Sequence, residues 1–383
     1  MPDTPPSAEQ LRAAFEAAGP LTVGLEEELM LLDPETLDLT PEAPAALAAL
    51  ADDERFKLEL PAAQIEVVTR PCSSIAEAAA ELAAARERLA GALAGRYRLA
   101  GAGVHPFAAA HGVLNSSPRY DRTTREYGDI ARRQLVFGLH VHVAVPGADR
   151  ALAVFNALRS YLPDVAALAA NAPFYEGRDS GLASVRPKLS ELLPRQGVPP
   201  AMPSWEALAG AYAWGGRAGR FEPAQWWWEA RLHPVHGTLE VRVPDTQVTV
   251  ADSAAVGAVI HALVHSLCAR FDAGDPPRAA ETWKIEENRW SACRRGLDGR
   301  MADLASGVTT PTRERLAGLL EALEPSAVAV GATGPLAHAL AMLDGNGAQR
   351  QRDVAAAGGV RELVGWLADS FAPTSVSPAK SRG

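Results

Sequence analysis

Lysine is nearly absent from this chain. Its 383 residues include 37 basic side chains, and only positions 57, 188, 284 and 380 are lysine. No lysine completes a GxxxxGK[ST] pattern, so a P-loop is excluded, and a bound triphosphate would have to be held by arginine and metal. Cysteine is also scarce. Cys72, Cys268 and Cys293 are odd in number, widely spaced and without a CxxC pair, which reads as idle thiols rather than a disulfide framework or zinc knuckle. HALVH at 261–265 lacks the glutamate of HExxH, and no GxSxG occurs, so the zinc-protease and α/β-hydrolase readings fall away. No apolar run of membrane-spanning length is apparent, and the start MPDTPPSAEQ lacks the segments of a signal peptide, so no membrane partner and a cytoplasmic location are expected. Excess positive charge is missing too. A net charge of −9 argues against nucleic acid as a partner.

What the chain does have is four stretches with apolar residues on one side of a strand and acids or imidazoles on the other: LTVGLEEELMLL (21–32), QIEVVT (64–69), LVFGLHVHVAV (135–145) and TLEVRVP (238–244). Alternate side chains of a strand share a face. Glu26 and Glu28 therefore share a face, as do Gln64 and Glu66, His140 and His142, and Glu240 and Arg242. Paired in one sheet, these strands gather acids and imidazoles on a concave surface that is costly to desolvate unless cations neutralise it. Hard carboxylate oxygens with one imidazole suit Mg²⁺ or Mn²⁺. Glu27 points to the apolar side, as a buried salt-bridged acid or a site residue.

The remaining pattern interleaves strands with helices and ends in a helical block from about 251. Strand candidates are 21–32, 56–69 (one bent strand or a pair, interrupted at Pro61), 97–105, 135–145, 226–233 and 238–244. The short turn at 234–237 favours antiparallel neighbours. The expectation is an α+β fold with a largely antiparallel, curved six-stranded sheet and helices on its outer face. Residues 1–20 form an N-terminal helix segment, 21–371 a single catalytic domain, and 372–383 a disordered tail. Residues 106–128 look loop-like. The polar segment 171–195 is too long for a simple connector and is a candidate substrate loop.

Arg242, on the face of Glu240, and Arg231, on the neighbouring strand, are candidate catalytic and nucleotide-binding residues: a planar guanidinium suits a transferred phosphate, or serves as counter-ion to the glutamates. His142 is a candidate nucleotide or substrate contact, or a satisfied core histidine. Arg178 and Arg186 in the loop are candidates for a substrate carboxylate. Of the three consecutive tryptophans, Trp226 and Trp228 face one way, toward the core, and Trp227 the other.

Several motifs together resemble the carboxylate–amine ligase family, also called the glutamate–cysteine ligase type 2 family. They are GLEEELMLLDPET (24–36), QIEVVTRPC (64–72), GLHVHVAVP (138–146), PFYEGRDSGLASVR (173–186), HGTLEVRVPDTQVTVAD (236–252) and ENRWSACRRGLD (287–298), in family order from about 22 to 370. The resemblance implies a glutamine-synthetase-like fold, with magnesium and ATP held on a half-open antiparallel sheet. It implies ATP-dependent amide formation between a carboxylate and an amine, best known for the γ-carboxyl of glutamate and the amino group of cysteine. It carries metal-binding roles to Glu26, Glu28, Glu66, His140 and Glu240, and places a further acid at Glu59. The chain departs from the family in carrying Leu182 and Val185 where tyrosines are frequent, Glu229 where an aspartate commonly follows the tryptophans, and Ala144 for a common glycine. Leu182 and Val185 thus join Arg178 and Arg186 as candidate substrate-selecting residues. A metal-dependent amide hydrolase and a non-catalytic binding protein on the same scaffold are the alternatives. For assembly, a homodimer is an open expectation.

Overall fold

A computed structural model describes residues 5–218, 226–275 and 278–371; the expected tail at 372–383 lies outside the described residues. The main sheet comprises β1 (Val23–Leu32), β2 (Phe56–Leu58), β3 (Gln64–Val68), β4 (Arg98–Ala100) and β5 (Leu139–Ala144). A small separate hairpin follows as β6 (Phe174–Tyr175) and β7 (Arg178–Asp179), and β8 (Ala230–His233) and β9 (Thr238–Val241) complete the main sheet. Its order is β2-β3-β1-β5-β9-β8, with β4 paired to β1, and every pairing is antiparallel.

The sheet has seven strands rather than six, because the chain between 56 and 69 turns back at Pro61 and gives the pair β2 and β3. Two strands are shorter than expected. Only 98–100 of the 97–105 segment and 230–233 of the 226–233 segment pair with neighbours. The loop expected at 106–128 contains a helix, Pro118–Tyr127, capped by the Ser117 hydroxyl and opened by proline at its first position.

Leu25, Leu29, Val67, Val141, Leu239 and Val241 bury the sheet's apolar face in one continuous core. Opposite them lie the helices Ile75–Leu93, Ala148–Leu158 and Val250–Asp272. The last corrects an expectation: it is long and apolar enough, by length and composition, to cross a membrane. Here its apolar surface is spent within the protein, buried from Asp252 to Val264 against neighbouring helices. A second core, with Met30, Leu32, Phe137, Leu363 and Leu367, packs the far end of β1 against the C-terminal helix. β1 is thus fixed on both faces, and its middle is held by Glu27. Arg86 grips Glu27 with two 2.8 Å bonds and also donates to the carbonyls of Gln247, Val248 and Phe371. Glu27 is a buried structural acid, its carboxylate taken up by Arg86 and Ser253.

Candidate active site

Register decides which acids meet. Glu28 pairs directly with Glu66 across β1 and β3, Glu26 with His140 across β1 and β5, and His142 with Glu240 across β5 and β9. A cavity of about 340 Å³ opens on this face. Its acidic side carries Glu26, Glu28, Glu59, Glu66 and His140, and its other walls carry Arg186, Arg231 and Arg242.

One ligand atom each from Glu26, Glu66 and His140 lies within 4.8 Å of the others, and the same holds for Glu26, His142 and Glu240. Burial and repulsion among the acids set the charge state. Burial pushes Glu28 up to about 7 despite the nearby Arg186 guanidinium, with Glu59 adding repulsion. Burial, then Glu59 and Glu26, drive Glu66 well above the usual carboxylate range, against a weaker pull from Lys57. Glu59 is raised by burial as well. Burial alone would also raise Glu26, but hydrogen bonds to His140 and His142 outweigh it and hold this carboxyl well below its ordinary value. His140, desolvated and facing Arg242, is pushed down to about 4, so it is neutral at physiological pH. Its Nδ1 lies 3.2 Å from Glu26, and its buried Nε2 has no hydrogen-bond partner. A neutral imidazole oriented by a carboxylate and presenting a free nitrogen to buried, mutually repelling acids fits a divalent cation.

Glu240 occupies a different position. Its carboxylate is gripped by both Arg231 and Arg242, which hold it well below the usual range against its burial. It is fully buried and is not among the residues lining the cavity, so its negative charge is met by two guanidinium groups of the protein itself. His142, its cross-strand partner, lies 3.3 Å from Glu26 and 3.0 Å from the Thr238 hydroxyl, and is not among the lining residues either. Burial lowers its affinity for a proton, but Glu240 and Glu26 more than offset this, and the net shift is upward.

The segment 173–186 divides. Arg186 lines the cavity, buried, donating to the carbonyls of Val243 and Arg242. Arg178 is exposed on the β6–β7 hairpin, beside Glu176 and away from the cavity-lining set. Leu182 and Val185 also fall outside that set. They pack with Val104, Ala172 and Val136, of which Val136 reaches the cavity wall. Their apolar character serves this small cluster, and of the four candidate loop residues only Arg186 is among those lining the cavity.

The cavity is also lined by Lys57, Trp227 and Glu229, and by Arg119, Arg122 and Gln134, which carried no clear mark in the sequence. Arg119 and Arg122 come from the helix Pro118–Tyr127, whose Ser-Pro start was the available signal. Trp227 faces the cavity as strand alternation suggested, while Trp226 is buried 4.3 Å from the Tyr212 ring. The three cysteines are buried and free, with burial pushing each thiol up to about 11.

The glutamate–cysteine ligase family 2 model matches residues 22–365. The chain belongs to that family. A glutamate–cysteine ligase 2-type protein of Rubrobacter xylanophilus is 39% identical over 372 residues, covering 94% of this chain and 100% of that protein. Another from Gloeobacter violaceus is 33% identical over 365 residues, covering 93% of this chain and 97% of that protein. Membership in the family makes this chain a carboxylate–amine ligase. Among solved structures, a glutamate–cysteine ligase from Francisella tularensis in complex with AMP superposes with a TM-score of 0.67 at 12% identity, covering 95% of this chain and 91% of that one. A bifunctional glutathione synthetase from Pasteurella multocida superposes with a TM-score of 0.69 at 15% identity, covering 95% of this chain and 53% of that one. At such identities the likeness is one of fold, and it bears out the glutamine-synthetase-like architecture expected from the motifs.

Proposed function

We propose that this chain is an ATP- and Mg²⁺-dependent ligase that activates a carboxylate as its acylphosphate and transfers the acyl group to an amine. Glutamate, through its γ-carboxyl, and cysteine are the default pair. One observation carries the reading: Glu26, Glu28, Glu59, Glu66 and His140 converge on one side of a cavity whose other walls carry Arg186, Arg231 and Arg242.

The five acidic-side residues would hold Mg²⁺ or Mn²⁺, with His140 contributing its unpartnered Nε2. When bound, the metal neutralises the triphosphate and makes its γ-phosphorus a better electrophile. The rest is the work of the chain. Arg242 stands beside both Glu240 and His140, the latter at 3.2 Å, so its planar fork is locked on one side and free to meet a phosphoryl oxygen on the other. Arg231, locked on the same carboxylate, reinforces that position. Arg186 supplies a buried positive charge for the substrate carboxylate. The substrate carboxylate attacks the γ-phosphorus and ADP leaves. The amine then attacks the acyl carbon, loses a proton and expels phosphate. No covalent enzyme nucleophile is needed; positioning and charge neutralisation carry the rate.

The test is ADP release in a screen of carboxylates against amines with ATP and Mg²⁺, with products identified by mass. Amide product formed only when ATP is present supports the ligase reading, and ATP-independent turnover of amides contradicts it.

A further inference from the structure

Asp245 is a buried carboxylate that does not line the cavity. It follows β9 and bridges to Gly138, just before β5. Its side chain sits at the base of the segment 171–186. The Asn171 N–H donates to its Oδ2 at 2.7 Å, and the Ser184 hydroxyl donates to its Oδ1 at 3.0 Å. A Cβ added at Gly103 would lie 2.6 Å from its Cγ, so glycine there leaves room for the carboxylate. A buried charge is costly unless a partner meets it. Here the partner is Arg186, whose Nη1 lies 3.8 Å from Asp245 Oδ1. Among the described residues, Asp245 is the one carboxylate within 4 Å of that guanidinium.

The spacing matters. At 3.8 Å the two charges attract without a hydrogen bond between them. Arg86 and Glu27 show the contrast: there the fork is spent on its carboxylate in two 2.8 Å bonds. Arg186 gives Nη1 and Nη2 to the carbonyls of Val243 and Arg242, and its Nε has no partner. A guanidinium has five donors, so several stay open to a ligand. We infer that Asp245 is the positioning residue of Arg186: it supplies the counter-charge that keeps this cation buried at the cavity wall, and leaves its donors to the substrate. Burial holds the Arg186 guanidinium below its usual value, and Asp245 is the foremost charge opposing that shift. Burial likewise raises the Asp245 carboxyl, and Arg186 is the foremost charge opposing that one. The inference rests on the ligase reading, in which Arg186 meets the substrate carboxylate, and adds a residue that never touches substrate.

The test uses the full chain with ATP, Mg²⁺, cysteine and glutamate, or the acid that takes the place of glutamate in the ADP-release screen. Asp245→Asn keeps the shape of the side chain and an acceptor for Asn171 but removes the charge. It should raise KM for the acid about tenfold or more, with kcat changed less than about threefold and KM for ATP less than about twofold. In an Arg186→Gln background the same substitution should move KM for the acid by less than about a further twofold, because the residue it acts through is gone. Ser184→Ala removes one donor from the carboxylate and should raise that KM about threefold; it decides the matter if Asp245→Asn does not fold. An unchanged KM in the folded variant, a loss confined to kcat, or full additivity with Arg186→Gln overturns the inference. Unfolding temperatures free the test from turnover. Asp245→Asn and Arg186→Gln each leave a buried charge unmet, so each should unfold below wild type, and the double variant should lose less than the sum of the two losses. Additive losses overturn the pairing. Absence of ADP release with every acid and amine overturns the ligase reading instead, and the unfolding cycle still decides whether Asp245 is the counter-ion of Arg186.

Discussion

Glu28 and Glu66 are direct cross-strand partners on β1 and β3, so two carboxylates meet at one point of the sheet, with Glu59 and Glu26 close by. Like charges opposite one another destabilise a sheet, and burial adds to that cost. Removing one should therefore help the metal-free protein while harming the liganded one. We expect Glu66→Gln to unfold at or above the wild-type temperature without metal. It should lose most of the rise in unfolding temperature that Mg²⁺ or Mn²⁺ gives the wild type, and nearly all activity. Glu26→Gln should lose activity as fully. A metal-induced rise in Glu66→Gln equal to that of wild type would remove the residue from the metal set.

Gly138 is a second point of tight geometry. A Cβ added there would fall on the Arg186 guanidinium, well inside van der Waals contact, and 3.1 Å from His140 Nε2. The Gly138 N–H also donates to Glu28. Gly138→Ala should leave the fold in place, by circular dichroism, while displacing Arg186 and cutting kcat/KM at least tenfold. Wild-type turnover in that variant would mean the reaction does not need Arg186 where the structure puts it.

Arg86 and Glu27 make a different prediction, one about stability. Both side chains are almost completely excluded from solvent. Replacing Arg86 with methionine strands a buried carboxylate and should cost about 3–5 kcal/mol in denaturant unfolding. The double variant Arg86→Met with Glu27→Gln should recover part of that loss. A single-variant cost under about 1 kcal/mol would show that the pair does not anchor β1.

Much of this was legible in the sequence. Period-two alternation placed Glu26, Glu28, Glu66, His140, Glu240 and Arg242 on one face, because a strand leaves a side chain only two choices. Alternation also set Trp227 apart from Trp226. What it could not supply was registry and neighbourhood. Glu240 has the same local pattern as Glu28, yet Arg231, nine residues away, and Arg242 enclose it. Leu182 and Val185 sit in a polar loop, yet they join an apolar cluster assembled from Val104, Ala172 and Val136. Arg119 and Arg122 reach the cavity only because the helix Pro118–Tyr127 packs over β2, where Tyr120 donates to the Leu58 carbonyl. These are long-range facts, and no local periodicity encodes them.

His105 predicts a pH dependence of folding. Its Nδ1 accepts backbone N–H bonds from Phe107 and Ala108, at 3.2 and 2.9 Å, and its Nε2 lies 2.9 Å from the Leu37 carbonyl. Only the neutral ring satisfies all three contacts. Burial pushes the folded-state value down to about 4 from 6.5. The unfolded chain therefore binds the proton more tightly, so stability is whole above pH 6.5 and is lost as pH falls toward 4, by about 3 kcal/mol. The gap in unfolding free energy between wild type and His105→Gln should narrow over that window. A gap independent of pH would show that the ring is not held neutral by burial.

The most direct test of the central claim follows one oxygen atom. If the substrate carboxylate attacks the γ-phosphorus of ATP, that oxygen leaves with phosphate when the amine closes the amide bond. With the carboxyl of the acyl donor labelled with ¹⁸O, each turnover should release phosphate carrying one labelled oxygen, in step with ADP and amide. Unlabelled phosphate formed alongside the amide would contradict activation through an acylphosphate, and with it the role given to the acidic face and its arginines.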